Sequence, residues 1–567
     1  AAPQYWDTSP VAGIQGGDGL WNTMVPFWSD SAAGNFPAPW TAGNDAWFVA
    51  PSNGVPSTVL VTGQLSVGSI SITGSVYTLI VTNGGRLTGA ASASCLGANA
   101  ADGTVAIWGG GSLWDANAQA LTVGSGTAAT NNRLVIGAGA VVSNGALIVG
   151  AQAASRNSIT ISGATFASGT TTIGKPSATS NPGSNNAVTV AANGVWDLLN
   201  GSLTIGERGV SNALTVNNAI VTNVNVLTLA QWVGNGNASE GNQLLVTNGG
   251  SVAVASIVNM GSSGYGASII VTGPGSVLRA GSAGLNLGAT GDGSNRLEVA
   301  DGGLVMSSSA AFGESAGSYN SAVVSGVGSV WSNGTGGLVI GKQVKCNYNS
   351  LLVTNGGLVI SRGGAVIGSG ANTPDTCANN SATIAGSGSV WTNSGDIKLS
   401  SFKNSRANYM KVLGAGTVYS AGGTIGAFGG YDPPGPNDAP PTTGNWVLVS
   451  GPGSVWNLGN QTLAIGVSAA GVTTNGGIAT NNWLTLGPGG LVTNVSILNI
   501  QTNNLVNLYG GTAMVTTLTM QPQAQLWMDL ATQGLIVVRG NATLNGYVYA
   551  TNLPMKGRVE CTLLTCA

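Results

Sequence analysis

The feature that most constrains this chain is a repeat. The stretches Asn242-QLLVTNGGSV, Asn295-RLEVADGGLV, Asn320-SAVVSGVGSVW, Asn349-SLLVTNGGLV, Asn380-SATIAGSGSVW and Asn445-WVLVSGPGSVW are variants of one motif. An Asn is followed by apolar residues at +2 and +4, a Gly-rich turn near +6 to +8, and a Val or Leu near +10, often with an aromatic behind it. A second apolar stretch closes the unit on Ile-Gly or Leu-Gly, as at Leu203–Gly206, Leu285–Gly288, Leu338–Gly341 and Leu463–Gly466. The units align on Tyr77, Gly103, Asn132, Asn157, Asn186, Asn212, Asn242, Ala267, Asn295, Asn320, Asn349, Asn380, Asn408, Asn445, Asn482 and Asn504. The Gly-Gly turns and the GxGSVW turns tend to alternate, which suggests a two-coil repeat.

Within each unit the apolar residues alternate with polar ones at period two, and no stretch has a helical period. Such a unit cannot bury its apolar face alone but can do so stacked on its neighbours. The expectation is an all-β, right-handed parallel β-helix, a β-solenoid of about sixteen three-strand coils of about 27 residues. Equivalent positions then form ladders about 4.8 Å apart. The first is an Asn ladder through Asn132, Asn157, Asn186, Asn212, Asn242, Asn295, Asn320, Asn349, Asn380, Asn408, Asn445 and Asn482, passing side-chain amide hydrogen bonds from coil to coil. The second is an aromatic ladder of Trp114, Trp331, Trp391, Tyr419 and Trp456, with Trp196 one position off. Its rings either cover a strand edge or form an exposed track for sugars.

Composition narrows the function. Charged residues are 6% of the chain and there is no His, which excludes His-dependent triads, zinc sites and proton relays. With 17 basic and 19 acidic residues there is no basic footprint for nucleic acid. At 43% hydrophobic residues the chain is too apolar for intrinsic disorder. No apolar run reaches the roughly 18 residues of a membrane helix, so no membrane insertion is expected. Gly is abundant, 91 of 567, but has no three-residue period, so collagen is excluded.

Three segments are expected: a Trp-rich cap and first rung over 1–60 (Trp6, Trp21, Trp28, Trp40, Trp47), solenoid repeats over 61–525, and C-terminal strands with a Cys pair over 526–567. The start Ala1-Ala2-Pro3 reads as a mature terminus after secretory cleavage. The Pro-rich insertion 427–444 should project from one edge as a tolerated loop or a lateral contact. Cys346 and Cys377 each lie three residues before an anchor Asn, which stacks them in adjacent coils within disulfide range and predicts a bond between them. Cys561 and Cys566 are candidates for a second bond. Cys95 is left over, as a buried thiol or an intermolecular link. Disulfides imply an oxidising, extracellular setting.

Chemistry is sparse. Arg296, Glu298 and Asp301 form the densest charged set, followed by Asp197, Glu207 and Arg208; both read best as exposed strand faces and turns, so no catalytic residue is expected. The isolated Gly16-Gly17-Asp18-Gly19 and Gly291-Asp292-Gly293 lack the repetition of calcium-binding nonapeptides, so no metal or cofactor is expected either. Glycosylation sequons begin at Asn237, Asn333, Asn379, Asn460, Asn494 and Asn541.

The start Trp6-Asp7, Gly16-Gly17-Asp18-Gly19-Leu20-Trp21, Trp28, Gly34-Asn35 and Trp40, with the LxVTNGG and GxGSVW units, resembles autotransporter-associated β-strand repeat proteins and repeat-rich bacterial surface proteins. The resemblance implies secretion, a β-solenoid and a role in surfaces, adhesion or matrix. The expected function is therefore a non-enzymatic structural protein, a subunit of a surface fibre or sheath with itself as partner, assembled end to end. The alternative is a monomeric adhesin that binds surface glycans, and the third reading is a polysaccharide-cleaving enzyme on a β-helix.

Overall fold

A computed structural model describes the chain except residues 35–36, 177–182, 232–238, 291–292, 344, 371–376, 402–404, 428–441, 468–478, 553–563 and 567, and describes only the backbone of 564–566. The Pro-rich insertion and the Cys561/Cys566 pair therefore lie outside the described residues. The chain divides into two compact units, Ala1–Val271 with Gly275–Gly281, and Thr272–Pro274 with Ser282–Ala567. Among the described residues every regular element is a strand. Each unit is a parallel β-helix.

In the first unit, the strand after each anchor pairs in parallel with its counterpart one coil on, from Ser57–Val61 and Tyr77–Val81 through Ala213–Asn217 and Gln243–Thr247. In the second, the equivalent strands pair in the same way from Arg296–Ala300 to Tyr547–Thr551. Period two decides what faces inward. Positions +2 and +4 form fully buried columns such as Leu134, Ile159, Val188 and Leu214, while +1 and +3 face out.

The anchor Asn explains itself through its hydrogen bonds. Asn157 is fully buried. Its backbone N–H and its Nδ2 both donate to Asn186 Oδ1, at 3.0 and 3.1 Å. Its own Oδ1 accepts from Asn132 N and Nδ2, at 3.0 and 2.9 Å. The second Nδ2 hydrogen reaches Ala129 O at 3.1 Å. All four hydrogen-bonding positions of the amide are used, which a buried polar group requires. The same bonds link Asn132 to Asn242 in the first unit and Asn295 to Asn504 in the second. The closing Gly belongs to this device: a Cβ on Gly124, whose φ is +78°, would lie 2.2 Å from Asn157 Cγ. Only Gly fits both the space and the φ.

Turn length explains the alternation of coils. Residues Gly326–Ser329 separate Ser325 from Val330, whereas only Gly414–Gly416 separate Leu413 from Thr417. One residue more or less inverts which side chain points inward. In long-turn coils the inward residue is the Trp at +11; in short-turn coils it is the Val at +10. The second unit therefore carries the column Val305, Trp331, Val359, Trp391, Val418, Trp456, Val492, every member at most 1% exposed. The coils of Trp331 and Trp391 carry Ala322 and Ala382 at +2, where their neighbours carry Leu351 and Met410. Large and small residues alternate so that the core volume stays constant. The Ser ending each long turn staples the pair of coils: Ser329 Oγ donates to Ser325 O at 2.7 Å and accepts from Gly302 N at 3.0 Å.

Residues before the first rung form a plug. Trp6, Trp21, Trp28 and Trp40 are buried, with Trp28 centred 4.7–5.7 Å from Trp40, Trp21, Trp6 and Phe48. Trp47 is half-buried and instead meets Tyr5.

Candidate functional site

The aromatic ladder requires two corrections. Trp114, Trp196, Trp331, Trp391 and Trp456 are interior residues, 0–2% exposed, so they offer no track for a ligand. The indole N–H groups of Trp196, Trp331, Trp391 and Trp456 bond to a Ser of the preceding coil, as from Trp456 to Ser420 Oγ at 3.0 Å and from Trp196 to Ser168 Oγ at 2.8 Å. Trp196 is in register, paired with Phe166 and stacked on it. Tyr419 is the residue out of register: the short turn before it turns Val418 inward, leaving Tyr419 45% exposed beside Thr392 and Asn457.

The cysteine pair requires a third. Cys346 and Cys377 are buried free thiols. Each Sγ is aimed along the stack at carbonyls of earlier coils, Cys346 at Gly313 O (2.8 Å) and Cys377 at Gly341 O and Cys346 O (both 3.3 Å). The thiols thus join a column of weak donors, and Cys377 is followed in it by Ser405. Burial pushes the Cys377 thiol up to about 12 and Cys95 up to about 11, which leaves both protonated and unreactive near neutral pH.

The charged sets stay local. Arg296 pairs with Glu298 at 2.9 Å on the outer face. Asp197 accepts from Leu199 N and Asn223 Nδ2, capping its own turn. Among the described residues no group of His, Cys, Asp or Glu could hold a metal ion.

Exposed aromatics do gather, on the outer face of the second unit and at positions the ladder reasoning missed. Tyr409, Trp446 and Trp483 each follow an anchor Asn and pair in register. Their rings are parallel within 10°, with centroids 4.7 and 6.1 Å apart. All three are half-buried. Lys411 holds its ammonium over this stack, 4.9 Å from the Tyr409 ring and 5.4 Å from the Trp446 ring. From two coils beyond Trp483, past Leu505 and Asn507, the same sheet carries Trp527 and Tyr549 at +3, 40% and 42% exposed and centred 5.3 Å apart. Thr383 and Thr485 flank the strip on the Lys411 column. A second exposed pair, Tyr319 and Tyr348, stacks 5.0 Å apart at the corner, each with φ near +60°, a conformation uncommon for a bulky residue. The signal was present in the sequence: if +2 and +4 face inward, an aromatic at +1 faces out.

Such a strip has the chemistry of a carbohydrate platform. Overlapping rings offer partly open π surfaces to the C–H faces of sugars, hydroxyl side chains alongside can bond to sugar hydroxyls, and the rings hold a cation without neutralising it.

No known family's sequence model matches the chain. A stretch of 80 residues, 14% of the chain, is 36% identical to the adhesin BmaC autotransporter of Brucella suis biovar 1 (strain 1330), and the match spans only 2% of that relative's length. Among solved structures the chain is similar to a TibC-catalysed, hyper-glycosylated TibA fragment at 13% identity and a TM-score of 0.35, covering 72% of this chain and 94% of that one.

Proposed function

We propose that this chain is a surface-exposed or secreted, adhesin-like β-solenoid that binds glycans through the outer aromatic strip of its second unit. The observation that carries this is the Tyr409–Trp446–Trp483 stack with Lys411 over it. Among the described residues most other tryptophans lie inside, and ligand-free surfaces rarely gather aromatic rings in this way. The sequence match to an autotransporter adhesin supports the same reading and the cell-surface location. Glycoside cleavage ordinarily uses a pair of carboxyl groups, and the strip is built from Tyr409, Trp446, Trp483 and Lys411, so we read it as a binding surface.

The fibre reading has less support. End-to-end assembly would pair strands at an open rung, but the first rung is filled by Trp6, Trp21, Trp28 and Trp40, which would have to be displaced.

The test is a glycan array probed with the purified chain and with the Trp446→Ala/Trp483→Ala double variant. Binding by the first and not by the second, with equal melting temperatures, supports the proposal. A chain that binds no glycan but forms filaments that survive dilution restores the fibre reading.

A further inference from the structure

A second surface feature of the same unit arises from chain geometry. Three successive long strands, Val455–Val467, Leu491–Ile500 and Thr512–Met520, run through a corner that most coils break with a turn. Their registers step at that corner. Asn457 pairs with Thr493 and Gln461 with Val495, so the first strand spends more residues on the bend than the second. Val492 pairs with Ala513 and Val495 with Val515, so the second spends more than the third. The next coil lengthens again: Val515 pairs with Val538 and Leu518 with Ala542. The bend is therefore shortest at Ala513–Leu518, one residue shorter than Val492–Leu498 on one side and Ile536–Ala542 on the other. The result is a saddle with one lip at Asn460 and the other at Arg539.

That saddle is a shallow groove, open to solvent and with room for about 60 Å³, which seats one edge of a sugar ring and does not enclose it. Asn460, Thr493, Asn494, Thr516 and Arg539 supply its polar lining, and Met514 is among its few apolar residues. No carboxylate lines it. Arg539 is exposed and makes no ion pair among the described residues; its lip is fixed by the backbone bond from Arg539 N to Val515 O at 2.9 Å. Asn494 is likewise fixed, its Nδ2 donating to Asn457 Oδ1 at 3.1 Å. Amides and hydroxyls around a concave floor suit a polyol. One guanidinium, planar and permanently charged, suits one carboxylate. A sulfate or phosphate alone would leave most of the lining unused.

We infer that this saddle binds the carboxylate-bearing residue of an acidic glycan, with Arg539 on the carboxylate and the Asn and Thr side chains on the ring hydroxyls. The inference rests on the glycan-binding reading and names its substrate class: polysaccharides containing uronic or other sugar acids.

The probes are trigalacturonate and its methyl ester, in which a methyl group caps each carboxyl and removes its charge, titrated calorimetrically into the full chain, Arg539→Gln and Trp446→Ala/Trp483→Ala. The expected result is trigalacturonate bound at least tenfold more tightly than the ester, a preference abolished in Arg539→Gln and kept in the Trp variant. Arg539 is exposed, so its replacement should leave the fold intact, checked by circular dichroism. Equal affinity for acid and ester, or a preference that survives Arg539→Gln, overturns the inference while leaving the aromatic strip as the glycan site. If inorganic sulfate displaces trigalacturonate stoichiometrically at equal concentration, the groove reads only charge and the sugar assignment is overturned. If neither saccharide binds and a glycan array is also silent, the glycan reading itself fails.

Discussion

Trp391 and Trp446 occupy the same unit and follow an Asn of the same ladder, yet they do opposite things. Trp391 sits at +11 after Asn380, behind a long turn. It is fully buried, and its indole N–H reaches Ser361 Oγ at 3.5 Å. Trp446 sits at +1 after Asn445, half-buried, and stacks on Tyr409 and Trp483 outside the sheet. The first is required by core volume: its coil carries Ala382 where neighbouring coils carry Leu351 and Met410. No core demand places the second. In a solenoid, where strand parity alone divides structure from surface, an aromatic on the outer parity is the one whose presence calls for a ligand.

The comparison is broken most directly by truncation. Trp391→Ala should cost about 3–5 kcal/mol, the range for emptying a buried Trp site. Because a repeat protein loses structure locally, the loss should appear in hydrogen exchange as faster opening of the coils around 359–418. Asn380→Ala comes next. It leaves the Asn349 N–H and Nδ2 donors without their shared acceptor, which should cost about 3 kcal/mol and should break protection on both sides of the cut. Trp446→Ala should cost about 1 kcal/mol or less, the scale of one aromatic pair, with protection unchanged while glycan binding falls. Equal destabilisation by Trp391→Ala and Trp446→Ala would erase the distinction between the two positions.

A smaller effect comes from the plug. Asp7 is fully buried, and its Oδ2 has no partner among the described residues. Burial raises its pKa above the ordinary carboxylate value. The folded state therefore holds this proton more tightly than the unfolded chain does. That contribution is fully present below the unfolded pKa and is lost as the pH rises through the folded one. Asp7→Asn mimics the protonated form and keeps an acceptor for Ser9 N and Gln15 N. It should raise the melting temperature of the cap at pH 7 and leave it unchanged near pH 3. The smallest effect is chemical: Cys95, Cys346 and Cys377 should resist alkylation at pH 8 until the chain is denatured, read by mass spectrometry, because burial holds all three thiols above their ordinary pKa.

The solenoid was legible because ladders repeat their cause in every coil. The Asn, the closing Gly and the apolar alternation each recur where one geometry recurs, and Asn157 over Gly124 shows the two to be one requirement. Parity after a turn was legible only in part. Aligning aromatics at a fixed offset grouped Tyr419 with Trp456 and set Trp196 apart, because the single residue separating long from short turns was not counted. The thiols were stacked correctly, yet stacking does not fix the direction of a side chain: carbonyl acceptors along the column take both Sγ atoms. The saddle was not legible at all. It depends on register steps between three strands, Asn457 to Gln461, Val492 to Val495 and Val515 to Leu518, which no single unit reveals.

The claim that the outer stack, and not the interior column, meets the ligand can be read directly from the indole N–H resonances of the ¹⁵N-labelled chain as a bound oligosaccharide is titrated in. Assignment by single Trp→Phe variants identifies each peak. The account expects the Trp446 and Trp483 resonances to shift with saturation while those of Trp331, Trp391 and Trp456 stay fixed. Shifts confined to other tryptophans, with Trp446 and Trp483 unmoved at saturation, would contradict it.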